Sequence, residues 1–466
     1  MGLFHRQNNF YKWYKDHMHS QQSSDSIQAP AALSFWEALR FWFKLGWISF
    51  GGPAGQIALM HQELVVQKRW ISEKRFLHAL NYCMVLPGPE AQQLATYIGW
   101  LMHKTRGGIA AGVLFVLPSL LILIGLSWLY IAFGQVAWVA GLFYGIKPAV
   151  TVIVLQAAHR MGTRALKNKV LWLISASSFF AIFALDLPFP FIILIAAITG
   201  YVGSQIAPNA FASNGGHTAG SNSVGVALID DNTPTPLHAV FTWKRLWQVL
   251  GMGAALWLIP MGLLTLNFGW EHTFTQMSWF FTKAALLTFG GAYAVLPYVF
   301  QGAVEQFGWV TATQMIDGLA LGETTPGPLI MVVAFVGFVG GYAKALLGPD
   351  SLLLAGALAA TWVTWFTFLP SFIFILAGGP FVESTHNDLK FTAPLTAITA
   401  AVVGVILNLA LFFGYHTLWP QGFHAELDPP SALLALAAAF ALFKYKRNVM
   451  HVIVVCGLIG MVIYAV

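Results

Sequence analysis

The sequence predicts an all-α polytopic membrane protein built from two inverted-topology repeats with broken, re-entrant helices. Three observations predict it. Of 466 residues, 57% are hydrophobic and 9% are charged, against about 25% charged in soluble domains. Two pairs of Gly/Pro interruptions recur inside apolar segments. The basic residues sit mainly in short loops between apolar segments.

Residues 1–34 are polar and form an N-terminal cytoplasmic segment, with Phe10–Lys15 (FYKWYK) suited to the membrane interface. The first repeat spans 35–207. It contains Phe50-Gly51-Gly52-Pro53, Pro87-Gly88-Pro89 and apolar runs such as 107–133, long enough for the roughly 20 residues that a bilayer demands. Residues 208–242 are rich in Ser, Gly, Asn and Pro and read as a flexible linker. A further transmembrane helix occupies 243–270, and the second repeat follows at 271–466.

The duplication rests on rare residues at constant spacing. A shift of 239 places Lys44 on Lys283, Phe50-Gly51-Gly52 on Phe289-Gly290-Gly291, Trp70 on Trp309 and Pro87-Gly88-Pro89 on Pro326-Gly327-Pro328. Beyond an insertion near Gly341–Leu353 the shift becomes 252, and Leu117-Pro118-Ser119 meets Leu369-Pro370-Ser371. The loop 61–75 carries Lys68, Arg69, Lys74 and Arg75, whereas its counterpart 301–317 carries Glu305 and Asp317 with no Lys or Arg. The positive-inside tendency puts the first loop in the cytoplasm and the second outside, together with 159–169 and 444–447 inside. The extra helix at 243–270 supplies the inversion. The N-terminus is then cytoplasmic and the C-terminus external.

The net charge of +6 is accounted for by these loops and excludes a nucleic-acid reading. Cys83 and Cys456 stand apart in apolar surroundings, so neither a metal site nor a redox motif is expected. No cofactor is implied. An intramembrane enzyme would need a Ser/His or H-E-x-x-H constellation; HQEL at 61–64 has the wrong spacing and G-x-S-x-G is absent.

Non-helical backbone at membrane depth survives only inside protein or along a cavity. A half-helix beginning there offers amide donors and its positive end, and glycine lets backbone approach a ligand. The helix-breaking residues Pro53, Pro87, Pro89, Pro326 and Pro328 therefore point to an enclosed anion site. Its expected ligands are the amides of Gly51, Gly52, Gly88, Gly290, Gly291 and Gly327 with Lys147, Lys44 and Lys283. Lys147 lies mid-span, where a cation costs at least about 2.5–3.5 kcal/mol unless it faces a cavity or partner. Glu90 and Glu323, beside the two Pro-Gly-Pro breaks, are candidates for proton coupling. Gln92, Gln93, Thr324 and Thr325 are candidate cavity hydrogen-bonding groups.

The segments FGGPAGQIALMHQE (50–63), LPGPEAQQLATYIGW (86–100), TFGGAYAVLPYV (288–299) and GETTPGPLIMVVAFVG (322–337) closely resemble the chromate ion transporter family in its long, two-domain form. The resemblance runs from about Phe35 to the C-terminus, excluding the linker. It implies a secondary transporter of the bacterial inner membrane that exports chromate and confers resistance. Sulfate-type oxyanion uptake or exchange, or an anion channel, is the alternative, since sulfate shares chromate's charge and shape. The expected partners are the oxyanion and the lipid bilayer; a homodimer is allowed and nucleic acid is not. Ala292 stands opposite Pro53 and Leu329 opposite Glu90, so the halves are not equivalent.

Overall fold

The computed structural model describes residues 33–211, 227–231, 233–234, 236–384 and 392–465. The interfacial Phe10–Lys15 stretch and linker positions 212–226, 232 and 235 lie outside the described residues. Helices make up the described residues, with no strand among them and one isolated bridge between Ile71 and Ile229.

Helix α1 (Phe35–Ile48) is capped by Ser34 and stops at Ser49. Gly51 and Gly52 then take φ of 92° and 70°, values at which a side chain would crowd the following carbonyl. Helix α2 (Gly52–His61) runs back and continues as a π-helical turn, Gln62–Gln67. Just beyond it, the Trp70 ring lies 4.9 Å from Phe41 of α1, and the Lys68 ammonium sits over both rings. The chain therefore leaves on the side where it entered.

The next hairpin does the same. Helix α3 (Glu73–Val85), capped by Ser72, ends before Pro87-Gly88-Pro89, and α4 (Glu90–Phe133) begins after it. Helix α4 is sharply bent at His103 and Lys104, where Lys104 has φ of 57°. Its two arms fold against one another: a Cβ on Gly107 would lie 2.2 Å from the Gly99 carbonyl oxygen. His103 returns to the Leu33 carbonyl at 3.1 Å, beside the start of α1. Only the arm from Thr105 onward crosses.

Helices α5 (Ala137–Ala165), α6 (Lys169–Leu185) and α7 (Phe189–Ile206) complete the first half, and α8 (Trp243–Phe268) carries the chain over. The second half then repeats the pattern from the other side. Helix α9 (Thr273–Leu287) breaks at Gly290-Gly291, and a 3-10 turn (Ala292–Val295) leads into α10 (Leu296–Phe300). Trp309 lies 5.5 Å from Phe280, reproducing the Trp70–Phe41 contact. Helix α11 (Ala312–Thr324) ends at Pro326-Gly327-Pro328, and α12 (Val332–Ala343) packs antiparallel on α13 (Leu352–Ser384) through Gly337 and Gly341. Helices α14 (Thr392–Leu418), α15 (Pro429–Ala439) and α16 (Val449–Ala465) finish the chain.

Among the described residues, six helices are long and apolar enough to span a bilayer: Glu90–Phe133, Ala137–Ala165, Phe189–Ile206, Trp243–Phe268, Pro349–Glu383 and Ala393–Leu418. The arms that flank the breaks are shorter. Helices α1 and α11, of 14 and 13 residues, reach only about 20 Å against a core of about 30 Å. This is a multi-pass membrane protein whose hairpins stop at mid-depth.

Two sequence expectations are corrected here. The described part of the linker is not a free loop: Ile229 accepts from the Ser72 amide at 3.0 Å, Asp231 accepts from the Ser72 hydroxyl at 2.6 Å, and Ala239 is fully buried. Its polar composition suggested mobility, but the polar groups are used in docking onto residues 69–75. Asp317 is not an external loop acid either. It lies within α11 and is 3% exposed, because the apolar residues that follow it continue the helix.

Small residues set helix spacing. A Cβ on Gly145 of α5 would lie 2.1 Å from the Cys456 carbonyl oxygen of α16. Gly145→Val should therefore cost about 1–3 kcal/mol of stability by overpacking. Gly125→Ala, which meets nothing within 4 Å, should leave the thermal midpoint of the detergent-solubilised protein unchanged or slightly raised.

Candidate functional site

The four breaks meet where the two halves join. The Gly88 amide donates to the Thr288 carbonyl at 2.8 Å, and the Gly327 amide donates to the Ser49 carbonyl at 2.8 Å. Each Pro-Gly-Pro tip thus docks on the residue before the glycine pair of the other half. The packing is reciprocal too. A Cβ on Gly88 would lie 2.5 Å from the Ser371 hydroxyl, and one on Gly327 would lie 2.8 Å from the Ser119 side chain. Gly88 and Gly327 have φ of 125° and 105°, which suits glycine alone.

This alters the expected use of those two glycines. Proline on either side prevents the helix from continuing, so the amide between them needs a partner. The other half supplies it, and the Gly88 and Gly327 amides are not free to face a ligand. The glycine pairs differ: a Cβ on Gly52 or Gly291 would meet nothing within 4 Å, and the nearest atom to one on Gly51 is 4.0 Å away. Gly290 is flanked by Thr399 and Met161 at 3.7–3.9 Å.

Four helical starts follow the breaks, at Gly52, Glu90, Ala292 and Leu329, and none has a capping side chain. Side-chain caps are present on α1, α3, α6, α9, α11 and α15, from Ser34, Ser72, Asn168, His272, Thr311 and Asp428, while α5, α7 and α8 also start without one. Uncapped amides and the positive ends of four short helical segments face the junction. Pro53 occupies the first turn of α2, where its missing N–H costs nothing.

Buried polar side chains line the junction. Gln56, absent from the sequence expectation, donates to the Gly327 carbonyl at 2.5 Å and to the Ser49 carbonyl at 3.3 Å. Gln93 donates to the Pro87 carbonyl at 2.8 Å, and Gln92 donates to Thr96 at 3.0 Å. All three glutamines are fully buried, and their carbonyl oxygens have no hydrogen-bond partner among the described residues. Such acceptors call for a donor such as water or a protonated oxyanion. Thr324 and Thr325 turn inward on α11, donating to the Leu321 and Gly322 carbonyls at 3.0 Å.

Glu90 is partly buried and makes no hydrogen bond or ion pair among the described residues. Glu323 accepts a hydrogen bond from the Tyr293 hydroxyl, joining the two breaks of the second half. Nearby on α5, Met161 packs at Gly290 and Arg160 precedes it. Sequence reasoning placed Arg160 in a cytoplasmic loop. It belongs to the last turns of α5, which stays helical to Ala165.

The expected lysines are dispersed. The Lys147 ammonium lies 3.9 Å from Asp317, whose other oxygen accepts from the Tyr130 hydroxyl at 2.9 Å. Lys44 is exposed on α1, and Lys283 sits over the Trp279 ring at 5.7 Å. A second buried acid, Glu383 of α13, accepts from the Tyr97 hydroxyl at 2.5 Å and pairs with Arg75 at 3.5 Å. Both clusters join a carboxylate of the second half to a cation and a tyrosine of the first. They lie far apart: the arm carrying Tyr97 folds back so that Trp100 packs on Gly108, and Tyr130 is about 33 Å farther along the crossing arm of α4.

Gly88→Ala should destabilise the protein by about 1–2 kcal/mol or more, from positive φ and from the clash with Ser371. Adding Ser371→Gly should relieve only that clash, leaving the Gln93 amide at 2.6 Å and the positive φ, so thermal unfolding in detergent should show partial rescue.

The family model described as chromate transporter matches residues 36–201 and again 275–461. A chromate transport protein of Pseudomonas aeruginosa is 32% identical over 443 residues, covering 93% of this chain and 94% of the relative. One from Cupriavidus metallidurans is 27% identical over 454 residues, covering 96% and 99%. A probable chromate transport protein of Synechococcus elongatus is 26% identical over 447 residues, covering 95% and 100%. No solved structure matches the chain. A double match across most of the chain, on helices that hold paired glycine breaks at one junction, places this protein in the chromate transporter family.

Proposed function

We propose that this chain is a secondary transporter that exports chromate across the bacterial inner membrane and so confers resistance. The observation that carries the site is the convergence of four uncapped helical starts on one junction between the halves. Amide donors fixed in place suit a tetrahedral oxyanion, with Gly51, Gly52 and Gly291 leaving the backbone open. Arg160, exposed next to the Met161 that packs on Gly290, supplies positive charge near the second-half breaks.

Outward movement follows from charge. One elementary charge across 100 mV is worth roughly 2.3 kcal/mol, so a dianion leaving a negative interior gains about twice that. Cytoplasmic basic residues, including Lys68, Arg69, Lys74 and Arg75, favour anion collection on that side. Alternating access needs a pivot and two ends. The reciprocal backbone bonds at Gly88 and Gly327 form the pivot, and the Asp317 and Glu383 clusters close the two ends. Glu90 is the candidate proton carrier; Glu323 is tied to Tyr293.

Chromate uptake into everted vesicles at imposed potential tests this reading, with sulfate as competitor. Arg160→Gln should cut flux about tenfold or more, the worth of a charge-assisted contact. Glu90→Gln should flatten the dependence of flux on a pH gradient. Lys147→Ala leaves Asp317 buried without its cation and should cost about 3–5 kcal/mol of stability. Lys147→Ala with Asp317→Asn should regain stability, and lost flux in that double variant would assign Lys147 a role with the anion. Unchanged flux in Arg160→Gln and Glu90→Gln would overturn the site.

A further inference from the structure

A long groove runs between α4, α8 and α13, with a volume of about 680 Å³. It follows α4 from Thr105 to Leu120, about 22 Å at 1.5 Å per residue, so it is elongated rather than round. Its walls are apolar over nearly their whole length, with Ile109, Val113, Met252 and Phe372 among them. Helix α8 makes this space because it buries only Gly253, Met261 and Leu264. Its far half is tied down, Trp257 donating to Thr282 at 2.9 Å and the Leu256 carbonyl accepting from Trp365 at 3.3 Å. Its near half stands away from α4.

The near end of the groove is positively charged. Arg245 lines it, with its guanidinium over the Trp100 ring at 5.8 Å and no acidic partner among the described residues. Lys104 and Arg106, both exposed, lie where the crossing arm of α4 starts, and Lys244 adjoins Arg245. His238 is held to the Trp100 carbonyl at 3.0 Å. Burial, and then the Arg245 and Lys104 charges, push the His238 imidazole below its ordinary pKa, so it adds no charge of its own near neutrality.

We infer that this groove is a binding site for an anionic phospholipid, with an acyl chain along α4 and the phosphodiester on Arg245. An apolar trench at membrane depth with cations only at its interfacial mouth matches an amphiphile of that polarity and sign. A chromate dianion does not fit the apolar walls, and a zwitterionic lipid gains less from the unpaired guanidinium. The lipid would fill the gap between α8, which belongs to neither half, and helices of both halves. Ser119 and Ser371, which pack on the breaks, lie on the same helices but do not line the groove, and the inference stands whether or not the breaks hold the anion.

Full-length protein exchanged into bilayer discs of phosphatidylglycerol, or of phosphatidylcholine, then analysed by native mass spectrometry, tests the inference. Wild type should retain a phosphatidylglycerol that phosphatidylcholine does not replace. Arg245→Gln should weaken retention about fivefold, and Arg245→Lys should keep most of it. Val113→Trp, which fills the groove while leaving every cation in place, should abolish retention. Equal retention of both lipids, or retention unaffected by Arg245→Gln and Val113→Trp, would overturn the inference. If Arg245→Gln fails to fold, the contrast between wild type and Val113→Trp still decides.

Discussion

Two backbone hydrogen bonds organise the rest of the molecule: Gly88 to the Thr288 carbonyl and Gly327 to the Ser49 carbonyl. A peptide group between two prolines at membrane depth has no helix to join and no water to bind. Its amide must find a carbonyl, and a carbonyl left open by a helix end must find an amide. The two halves meet each other's need reciprocally. Neither set of breaks would be tolerable alone, which gives a physical reason for two copies in one chain.

From that constraint the other features follow. Hairpins that stop at mid-depth bring short helices to the junction end-on, and their starts lack capping side chains. Gln56, Gln92 and Gln93 are buried there with acceptors to spare, which favours a hydrated or protonated occupant over a bare apolar one. Farther out, each end is held by one buried carboxylate that crosses from the second half to the first. Such pairs add little net stability, because desolvation offsets their attraction, but breaking one is costly. They therefore suit contacts that must open together with a whole helix rather than residue by residue.

Composition and periodicity made the all-α membrane fold legible, because apolar runs of bilayer length have few other uses. The breaks were legible for a related reason: glycine and proline declare backbone geometry in their own identity. What those breaks touch was not legible. The same Pro-Gly-Pro that suggests free amides spends its central amide on Thr288 or Ser49, a contact between residues 200 or more positions apart. Asp317 and Arg160 were misplaced because each adjoins a polar run, and local charge does not show that a helix continues through it. Lys147 was visible as an oddity mid-span, but its partner was hidden until the fold brought α11 against α5. The linker misled because docking of 227–231 on residues 69–72 depends on backbone groups that composition does not encode.

The central claim is that the halves pivot about the crossed backbone pairs while their two ends exchange closure. Electron–electron spin distances in reconstituted protein test it most directly, with label pairs near Arg75 and Glu383, near Tyr130 and Asp317, and beside Ser49 and Gly327. On adding chromate, one end pair should lengthen as the other shortens, and the central pair should stay fixed. A central distance that moves as far as the ends, or two ends that open together, would contradict the account.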